Sequence, residues 1–342
     1  MTTDNPVMLI RQVALALRAS RALEVAARLG VADVLADGPK SSAELATATE
    51  TDPLAIRRVL RALVAFGIFA EPEADRFALN AAGELLRADA PRSMRAGAMF
   101  LAGDTRMRLW TDLLGSVRTG EPAFDRVLGT DMFTHYKNHP EDAALFNGAM
   151  ASFSAGMSPA VLAAYDFSAF RRVVDVGGGT GRLLGDILAA HPALTGLLFD
   201  LPNVVAGAPA VLAKAGVTDR CEVVSGSFFD AVPSGGDTYV LKNVLHDWDD
   251  PRTTTILSHT RAAMQACGTL LILERVMPER AEVGQAVEAY LLDLEMLVVT
   301  LGGRERSEAE FRALLKATGF SLTRVVPTAT PVSVIEARAE QG

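Results

Sequence analysis

Short runs of consecutive apolar residues alternate with helical patterns through the second half of the chain. The runs that predict strands are Val173–Val176, Leu197–Asp200, Cys221–Ser225, Tyr239–Leu241 and Leu270–Glu274. Such runs are typical of strands buried on both faces, and the helical stretches between them are the crossovers that a parallel sheet requires. Two later runs, Phe320–Val326 and Val332–Glu336, predict a closing antiparallel pair. The pattern therefore predicts an α/β domain over residues 166–342.

The first hundred residues have a different pattern, in which short helices precede a small β element. Ser41 and Glu44 have the spacing of a capping box, and Asp52 followed by Pro53 predicts the start of the next helix. A turn at Glu71–Glu73 separates two short strand patterns. Helix, turn, helix and hairpin in this order are typical of a winged helix, which we assign to residues 1–100. Residues 101–165 are predicted to form a helical linker rich in methionine and aromatic residues.

The winged-helix pattern raises the question of whether this region binds DNA. Its second helix carries three basic residues, Arg57, Arg58 and Arg61, which would suit phosphate contacts. The wing, however, is acidic, and phosphate contacts dominate DNA affinity; its acids are Glu71, Glu73 and Asp75. The N-terminal helices instead offer apolar positions for a subunit interface, namely Leu9, Val13, Leu17, Leu23, Ala26 and Leu29. We therefore expect a homodimer and no nucleic acid partner, with a DNA-binding regulator as an alternative.

Composition places the chain among globular proteins with a large core. Hydrophobic residues make up 49% of the 342 positions, and the formal net charge of -8 argues against a general polyanion binder. Cys221 and Cys267, the only two cysteines, give neither a disulfide framework nor a zinc-ligand spacing. The N-terminal residues lack a signal-peptide pattern, and there is no run of about twenty apolar residues to span a bilayer. We expect a cytoplasmic protein with no membrane partner.

A glycine cluster, Gly177–Gly181, follows the first of the predicted parallel strands and precedes a helical pattern. Open α/β sheets bind nucleotide-like cofactors at this position, and Asp200, which closes the next strand, can accept hydrogen bonds from ribose hydroxyls. Two cofactor classes fit. Arg182 stands where the dinucleotide fingerprint requires its third glycine, and Asp175 suits a cationic amino-acid moiety better than a pyrophosphate. The loop therefore favours S-adenosylmethionine over NAD.

A candidate general base lies just after the fourth predicted strand. His246 follows a strand that should lie beside the cofactor crevice, and imidazole is the usual general base near neutral pH. Glu274 ends the next strand at the same edge of the sheet, and Glu305 lies in a loop that could reach this edge. Carboxylates that orient a base are a general feature of activated-nucleophile sites, although carboxylates at strand ends also cap helices and pair with arginine.

These motifs together resemble the S-adenosylmethionine-dependent O-methyltransferases, in the branch that contains plant caffeate and flavonoid enzymes and bacterial enzymes acting on aromatic polyketides. Four ordered segments carry the resemblance, which covers nearly the whole chain: Asp175–Gly181, Phe199–Pro202, Leu245–Trp248 and Gly302–Arg306. The resemblance implies a Rossmann-like class I methyltransferase domain after an α-helical winged-helix dimerisation domain. It also implies methyl transfer from S-adenosylmethionine to a hydroxyl of a small aromatic acceptor, phenolic or polyketide-like.

The resemblance further implies a role for each matching residue. His246 would be the base, with Glu274 and Glu305 orienting it, and Asp200 would bind the ribose. The other cofactor contacts would be the methionine-binding Gly177, Gly178 and Gly179, the adenine-binding Ser227 and Phe228, and the cofactor-contacting Lys242. The adenine-binding pair usually begins with aspartate in this family, so Ser227 would give a hydrogen bond without charge assistance.

The acceptor pocket is expected to be lined by flat and flexible apolar side chains, which suit an aromatic substrate. The candidates are Phe133, Phe146, Asn147, Met150, Phe153 and Met296. No metal is expected, because no cluster of histidines and acids has a recognisable ligand spacing. A sister activity of the same fold, decarboxylation or hydroxylation with bound S-adenosylmethionine, remains an alternative; the set His246, Glu274 and Glu305 favours methyl transfer.

Overall fold

The chain divides into two compact units in a computed structural model that describes residues 5–154 and 156–340, without the side chain of Phe133. One unit comprises Met1–Thr111 and Thr130–Ala155, and the other comprises Asp112–Gly129 and Gly156–Gly342. The chain therefore passes between the units three times. Residues 101–165, predicted as one helical linker, contribute to both units.

The secondary structure follows the predicted alternation closely. The helices are α1 (Pro6–Arg28), α2 (Val31–Val34), α3 (Ser42–Thr49), α4 (Pro53–Ala65), α5 (Ala81–Glu84), α6 (Arg95–Leu101), α7 (Asp104–Trp110), α8 (Leu113–Thr119), α9 (Ala123–Leu128), α10 (Met132–Asn138), α11 (Pro140–Ser154), α12 (Met157–Ala164), α13 (Arg182–Ala190), α14 (Pro202–Val205), α15 (Ala208–Ala215), α16 (Asp250–Ala263), α17 (Val287–Val299) and α18 (Glu308–Ala317). The strands are β1 (Lys40–Ser41), β2 (Phe69–Glu73), β3 (Arg76–Leu79), β4 (Arg172–Val176), β5 (Thr195–Asp200), β6 (Cys221–Ser225), β7 (Thr238–Lys242), β8 (Thr269–Glu274), β9 (Val276–Met277), β10 (Arg306–Ser307), β11 (Phe320–Pro327) and β12 (Ser333–Ala339). Short 3-10 turns span Thr218–Arg220 and Leu245–Asp247.

The first unit contains the helices and the hairpin predicted for the N-terminal region, but Glu71–Glu73 belong to β2 and the turn of the hairpin lies at Ala74 and Asp75. The capping box is confirmed, since Ser41 Oγ accepts the Glu44 amide at 3.2 Å and Glu44 Oε2 accepts the Ser41 amide at 2.7 Å. Asp52 caps α4, and β2 and β3 pair antiparallel with β1 at the other edge of β3. The apolar positions expected to form separate N-terminal helices lie mostly on the single long helix α1.

The second unit is built on a seven-stranded sheet in the order β11-β12-β8-β7-β4-β5-β6. Strands β8, β7, β4, β5 and β6 are parallel neighbours, and β11 and β12 form the predicted antiparallel pair at one edge. After β4, the chain adds β5 and β6 on one side of β4 and then crosses to the other side, where it forms β7. This reversal leaves a crevice at the carboxyl ends of β4 and β7, where open α/β sheets bind ligands.

Apolar side chains cover both faces of this sheet. Val174, Tyr239 and Leu270 belong to the core on one face, and their chain neighbours Val173, Val240 and Leu271 belong to the core on the other. Burying each such side chain stabilises the fold by about 1.5–3 kcal/mol. The continuous apolar runs are thus explained by burial from both sides. Within residues 5–154 and 156–340, no helix has the length and apolar character to cross a membrane.

Candidate active site

The loop after β4 brings bare backbone to the crevice. Gly177 and Gly179 adopt φ values of +67° and +65°, which side chains disfavour. A Cβ atom on Gly178 would lie 2.5 Å from Leu198 and 2.6 Å from Asp175, so this position has no room for a side chain. A Cβ atom on Gly179 would meet nothing within 4 Å, so the backbone there faces open space. The loop therefore offers an unobstructed surface to a ligand.

Two carboxyl groups flank this loop: that of Asp200 accepts hydrogen bonds from backbone amides, and that of Asp175 accepts none from the described residues. Asp200 Oδ2 accepts the Gly179 amide at 2.8 Å, and Oδ1 accepts the Leu201 amide at 2.7 Å. Asp175 is 1% exposed, and neither of its oxygens has a hydrogen-bond partner among the described residues. Burial raises the pKa of Asp175 to about 7, against the lowering effect of the positive charge of Lys242. A buried carboxyl group without a partner, beside an open glycine loop, fits the cationic amino-acid end of S-adenosylmethionine.

The remaining predicted cofactor residues lie at neighbouring ends of the same sheet. Ser227 follows β6, and its Oγ accepts the Phe229 amide at 3.1 Å. The ring of Phe228 lies at right angles to that of Trp248, with centroids 6.2 Å apart. Phe228 also borders the loop, because a Cβ atom on Gly177 would lie 3.5 Å from its Cε1 atom. Lys242 is the last residue of β7 and is half-buried.

The turn after β7 places His246 against Glu305. The Nδ1 atom of His246 donates to Glu305 Oε1 at 3.0 Å, and the imidazole is 12% exposed. On the other side of the ring, Nε2 lies 3.7 Å from Asp247 Oδ1. With Nδ1–H committed to a carboxylate, Nε2 is the nitrogen that can exchange a proton with a ligand.

Glu274 holds the main chain of this turn. Its Oε1 atom accepts the amides of Val244, Leu245 and His246 at 3.1, 2.6 and 3.2 Å. The sequence suggested that both glutamates orient the imidazole. In the structure only Glu305 contacts the imidazole ring, whereas Glu274 contacts the backbone amides of the turn that carries it.

The acids around His246 set its charge. Burial alone would lower the pKa of His246, but the carboxylates of Asp247, Glu305 and Glu274 outweigh it and raise this pKa to about 9. Burial raises the pKa of Glu274 to about 7, while the positive charge of His246 acts in the opposite direction. The acids around the ring therefore favour its protonated form.

Sequence reasoning missed several residues of the segment Gly302–Arg306. The guanidinium of Arg306 is fully buried beneath the His246 turn, and Arg304 pairs with Asp250 and Glu310. A Cβ atom on Gly303 would lie 2.5 Å from the carbonyl oxygen of His246, so only glycine allows this approach. The segment Gly302–Arg306 was recognised as a motif from the sequence, but only Glu305 within it was predicted to have a role.

The predicted acceptor-pocket residues are divided between the two units. Phe146, Asn147, Met150 and Phe153 lie on α11 of the first unit, whereas Met296 is buried on α17 of the second. Phe146 stacks on Tyr136 with centroids 4.8 Å apart and meets the edge of Phe100 at 5.7 Å. Phe153 packs against α6, while the side chain of Phe133 lies outside the described residues.

Comparison with protein families identifies both parts of the chain. Residues 110–321 match an O-methyltransferase domain, and residues 12–89 match an O-methyltransferase dimerisation domain. The first match covers more than half of the chain and includes the glycine loop and the turn with its two glutamates. S-adenosylmethionine is the cofactor of this family.

Individual relatives match over almost their whole length. A phenazine O-methyltransferase of Lysobacter antibioticus is 46% identical over 93% of this chain and 92% of its own. An 8-amino-8-demethylriboflavin N,N-dimethyltransferase of Streptomyces davaonensis is 39% identical over 95% and 93%. The crystal structure of an O-methyltransferase from neocarzinostatin biosynthesis, in complex with S-adenosylmethionine and 2-hydroxy-5-methyl naphthoic acid, superimposes with a TM-score of 0.79 at 35% identity, covering 94% of this chain and 95% of that one. The chain belongs to the S-adenosylmethionine-dependent O-methyltransferase family.

Proposed function

We propose that this protein transfers the methyl group of S-adenosylmethionine to a hydroxyl group of a small aromatic acceptor, with His246 as general base. The observation that carries the proposal is the 3.0 Å contact between His246 Nδ1 and Glu305 at the edge of the sheet that also carries the glycine loop. This contact leaves Nε2 to take a proton. The naphthoate bound to the neocarzinostatin-pathway relative supports the aromatic class of acceptor.

The cofactor would lie along Gly177–Gly179, with its ribose on Asp200 and its adenine beside Ser227 and Phe228. Asp175 and Lys242 would balance the charges of the amino-acid end. When bound, S-adenosylmethionine supplies an electrophilic methyl group on a positively charged sulfur. The open Gly179 backbone supports this placement, as does the Asp175 carboxyl, which has no hydrogen-bond partner in the part of the chain that the structure describes.

His246 would take the proton of the acceptor hydroxyl on Nε2 while Nδ1–H stays on Glu305. A phenol has a pKa near 10 and the pKa of His246 is raised to about 9. Proton transfer between groups so closely matched costs only about 1.4 kcal/mol. The carboxylates of Asp247, Glu305 and Glu274 then stabilise the imidazolium. Because the neutral ring is scarce at pH 7, we expect kcat/KM for the acceptor to rise between pH 7 and pH 9.

The acceptor would contact the aromatic and methionine side chains of α11. Phe146, Asn147, Met150 and Phe153 are our candidates there, together with Met296 of α17 and the predicted Phe133. The rings of Tyr136 and Phe146 stack on each other within the first unit. Flat rings bury well against such surfaces at low cost in side-chain entropy.

A homodimer would form through the first unit. The N-terminal half of α1 exposes large apolar side chains around its circumference, namely Val7, Met8, Leu9, Ile10, Val13, Leu15 and Leu17. A cluster of exposed apolar side chains is typical of an interaction surface. The match of residues 12–89 to a dimerisation domain supports the same assignment. We propose this role for the first unit and no role in binding DNA.

The test replaces His246 with asparagine, which can still donate a hydrogen bond to Glu305. With a phenol of pKa near 10, His246→Asn should lower kcat by about 10²- to 10⁴-fold, while the affinity for S-adenosylhomocysteine stays within about twofold. The loss should shrink with a phenol acidic enough to be ionised at the assay pH. His191→Asn, at the end of α13, serves as the control. Full activity of His246→Asn with the weakly acidic phenol would exclude the base role.

Methylation of an aromatic amine is a second candidate, favoured by the identity to the N,N-dimethyltransferase. An amine attacks through a lone pair that is free without prior loss of a proton, so a base is not needed before the new bond forms. A pair of acceptors that differ only in hydroxyl or amino group separates the candidates. Activity on the amine alone, unaffected by His246→Asn, would establish the second.

A further inference from the structure

The guanidinium of Arg306 lies beneath the turn that carries His246. This side chain is wholly buried. Its Nη1 atom donates to the carbonyl of Leu245 and its Nη2 atom to the carbonyl of Trp248, each at 2.8 Å. These carbonyls lie on either side of His246 in the chain. A planar guanidinium presents five donors in a fixed fork, so it holds both carbonyls and a carboxylate in one geometry, whereas an ammonium has three rotatable donors on a single nitrogen.

The Nε and Nη2 atoms of Arg306 also contact the helix that follows the turn. Asp250, the first residue of α16, accepts from Nη2 at 2.9 Å and from Nε at 3.2 Å. The hydroxyl of Thr253 accepts from Nη2 at 3.1 Å. Asp250 is in turn held by Arg304 at 3.1 Å. The buried positive charge is thus balanced, and Arg306 connects the turn to a rigid helix.

Arg306 and Glu274 hold complementary groups of the same turn. Glu274 accepts the amides of Val244, Leu245 and His246, and Arg306 binds the carbonyls on either side. Because one residue takes the donors and the other takes the acceptors, the backbone at His246 cannot move without losing a charge-assisted hydrogen bond. The neighbouring residue of Arg306 in the chain is Glu305, which holds the ring itself.

We propose that Arg306 is a positioning residue, which fixes the imidazole of His246 relative to Glu305 through the carbonyls of Leu245 and Trp248. The proposal rests on the proposed role of His246 as base. A residue that only anchored α16 would change how much protein folds. A residue that positions the base also changes the chemistry and the ring's ionisation in each folded molecule.

The experiment uses Arg306→Lys, which keeps the positive charge but replaces a fixed fork of five donors with three rotatable donors on one nitrogen. Misplacement by about 1 Å commonly costs about 10²-fold in rate, so we expect kcat to fall by about 10- to 100-fold. Affinity for S-adenosylhomocysteine, measured by calorimetry, should stay within about twofold. Arg312→Lys, on the exposed face of α18 in an ion pair with Glu308, is the matched control and should match wild type.

The decisive readout is the ring titration of His246 by NMR in the ligand-free protein. The charged groups that face it are Asp247 on the turn, Glu274 from β8 and Glu305 from the adjoining segment. Arg306 acts on Glu274. A looser turn weakens the contact with Glu305, so the midpoint should shift towards 6.5 in Arg306→Lys and remain raised in Arg312→Lys.

The outcomes separate this proposal from the one on which it rests. An unchanged midpoint in folded Arg306→Lys, with kcat reduced only in proportion to the folded fraction, would overturn the positioning role. If Arg306→Lys does not fold, Asp250→Asn weakens the hydrogen bonds that hold Arg306 from the solvent side. The kcat and the titration midpoint of His246 are then measured in that variant. Retained activity of His246→Asn would instead refute the base, and the NMR midpoint would still report whether Arg306 positions the ring.

Discussion

Replacing Asp175 with asparagine should make the ligand-free protein more stable at alkaline pH. The carboxyl group is buried in β4 without a partner among the described residues, and burial raises its pKa from 3.8 to about 7. A shift of this size corresponds to a cost of about 4 kcal/mol when the group is ionised. Since the folded-state pKa is the higher one, the cost is absent below about pH 4 and complete above about pH 7. A buried amide has its own cost of about 1–3 kcal/mol, which leaves a net gain of about 1–3 kcal/mol at pH 8.

Thermal and urea unfolding of Asp175→Asn and wild type at pH 5 and pH 8 measure this effect. We expect a melting temperature about 1–4 °C higher at pH 8 and little or no gain at pH 5. The exposed Asp219→Asn should behave like wild type at both pH values. Cofactor binding should change in the opposite direction, weakening about tenfold or more because a charged partner of the ligand is lost. A variant that is less stable at pH 8, or that binds S-adenosylmethionine as tightly as wild type, would refute the reasoning.

Three further predictions follow from the site and from α1. Asp200→Ala should weaken S-adenosylmethionine binding by about 1.5–3 kcal/mol in calorimetry. If the wild-type protein bound NAD tightly and did not bind S-adenosylmethionine, the cofactor assignment would be wrong. Glu305→Gln removes a negative charge from beside the imidazole, so NMR should show the pKa of His246 falling from about 9. In steady-state kinetics at about pH 10, where the ring is neutral in both proteins, kcat should fall because the imidazolium is less well stabilised. Ile10→Asp, in the exposed apolar N-terminal half of α1, should shift the protein from dimer to monomer in light scattering, and an unchanged dimer would place the interface elsewhere.

The sheet of the second unit could be predicted from sequence because its strands are buried on both faces. Runs such as Val173–Val176 and Leu270–Glu274 are too continuous for a half-exposed strand and too short for a buried helix. Each predicted run coincides with a strand to within three residues at either end. The N-terminal helix was harder to place, because Leu9 and Leu23 lie on one helix whose first half exposes its apolar side chains.

The candidate site was predictable in its residue types and less so in its contacts. Parallel strands end at one edge, which brought His246 and Glu274 into the same neighbourhood. Sequence distance could not reveal that Glu274 binds amides while Glu305, 59 positions from His246, binds the ring. The role of Arg306 could not be predicted either, because an arginine that is buried and binds carbonyls cannot be distinguished in the sequence from one that is exposed to solvent.

The three passages of the chain between the two units have a consequence for dissecting the enzyme. Residues 112–129 belong to the second unit, yet residues 130–154, which follow them, complete the first. A single cut therefore cannot release either unit whole: a fragment ending near residue 111 lacks α10 and α11, and a fragment beginning near residue 156 lacks α8 and α9. During synthesis the first unit remains incomplete until α11 emerges, after two helices of the second unit have already been made. The units are thus expected to be expressed, folded and exchanged between relatives as one piece.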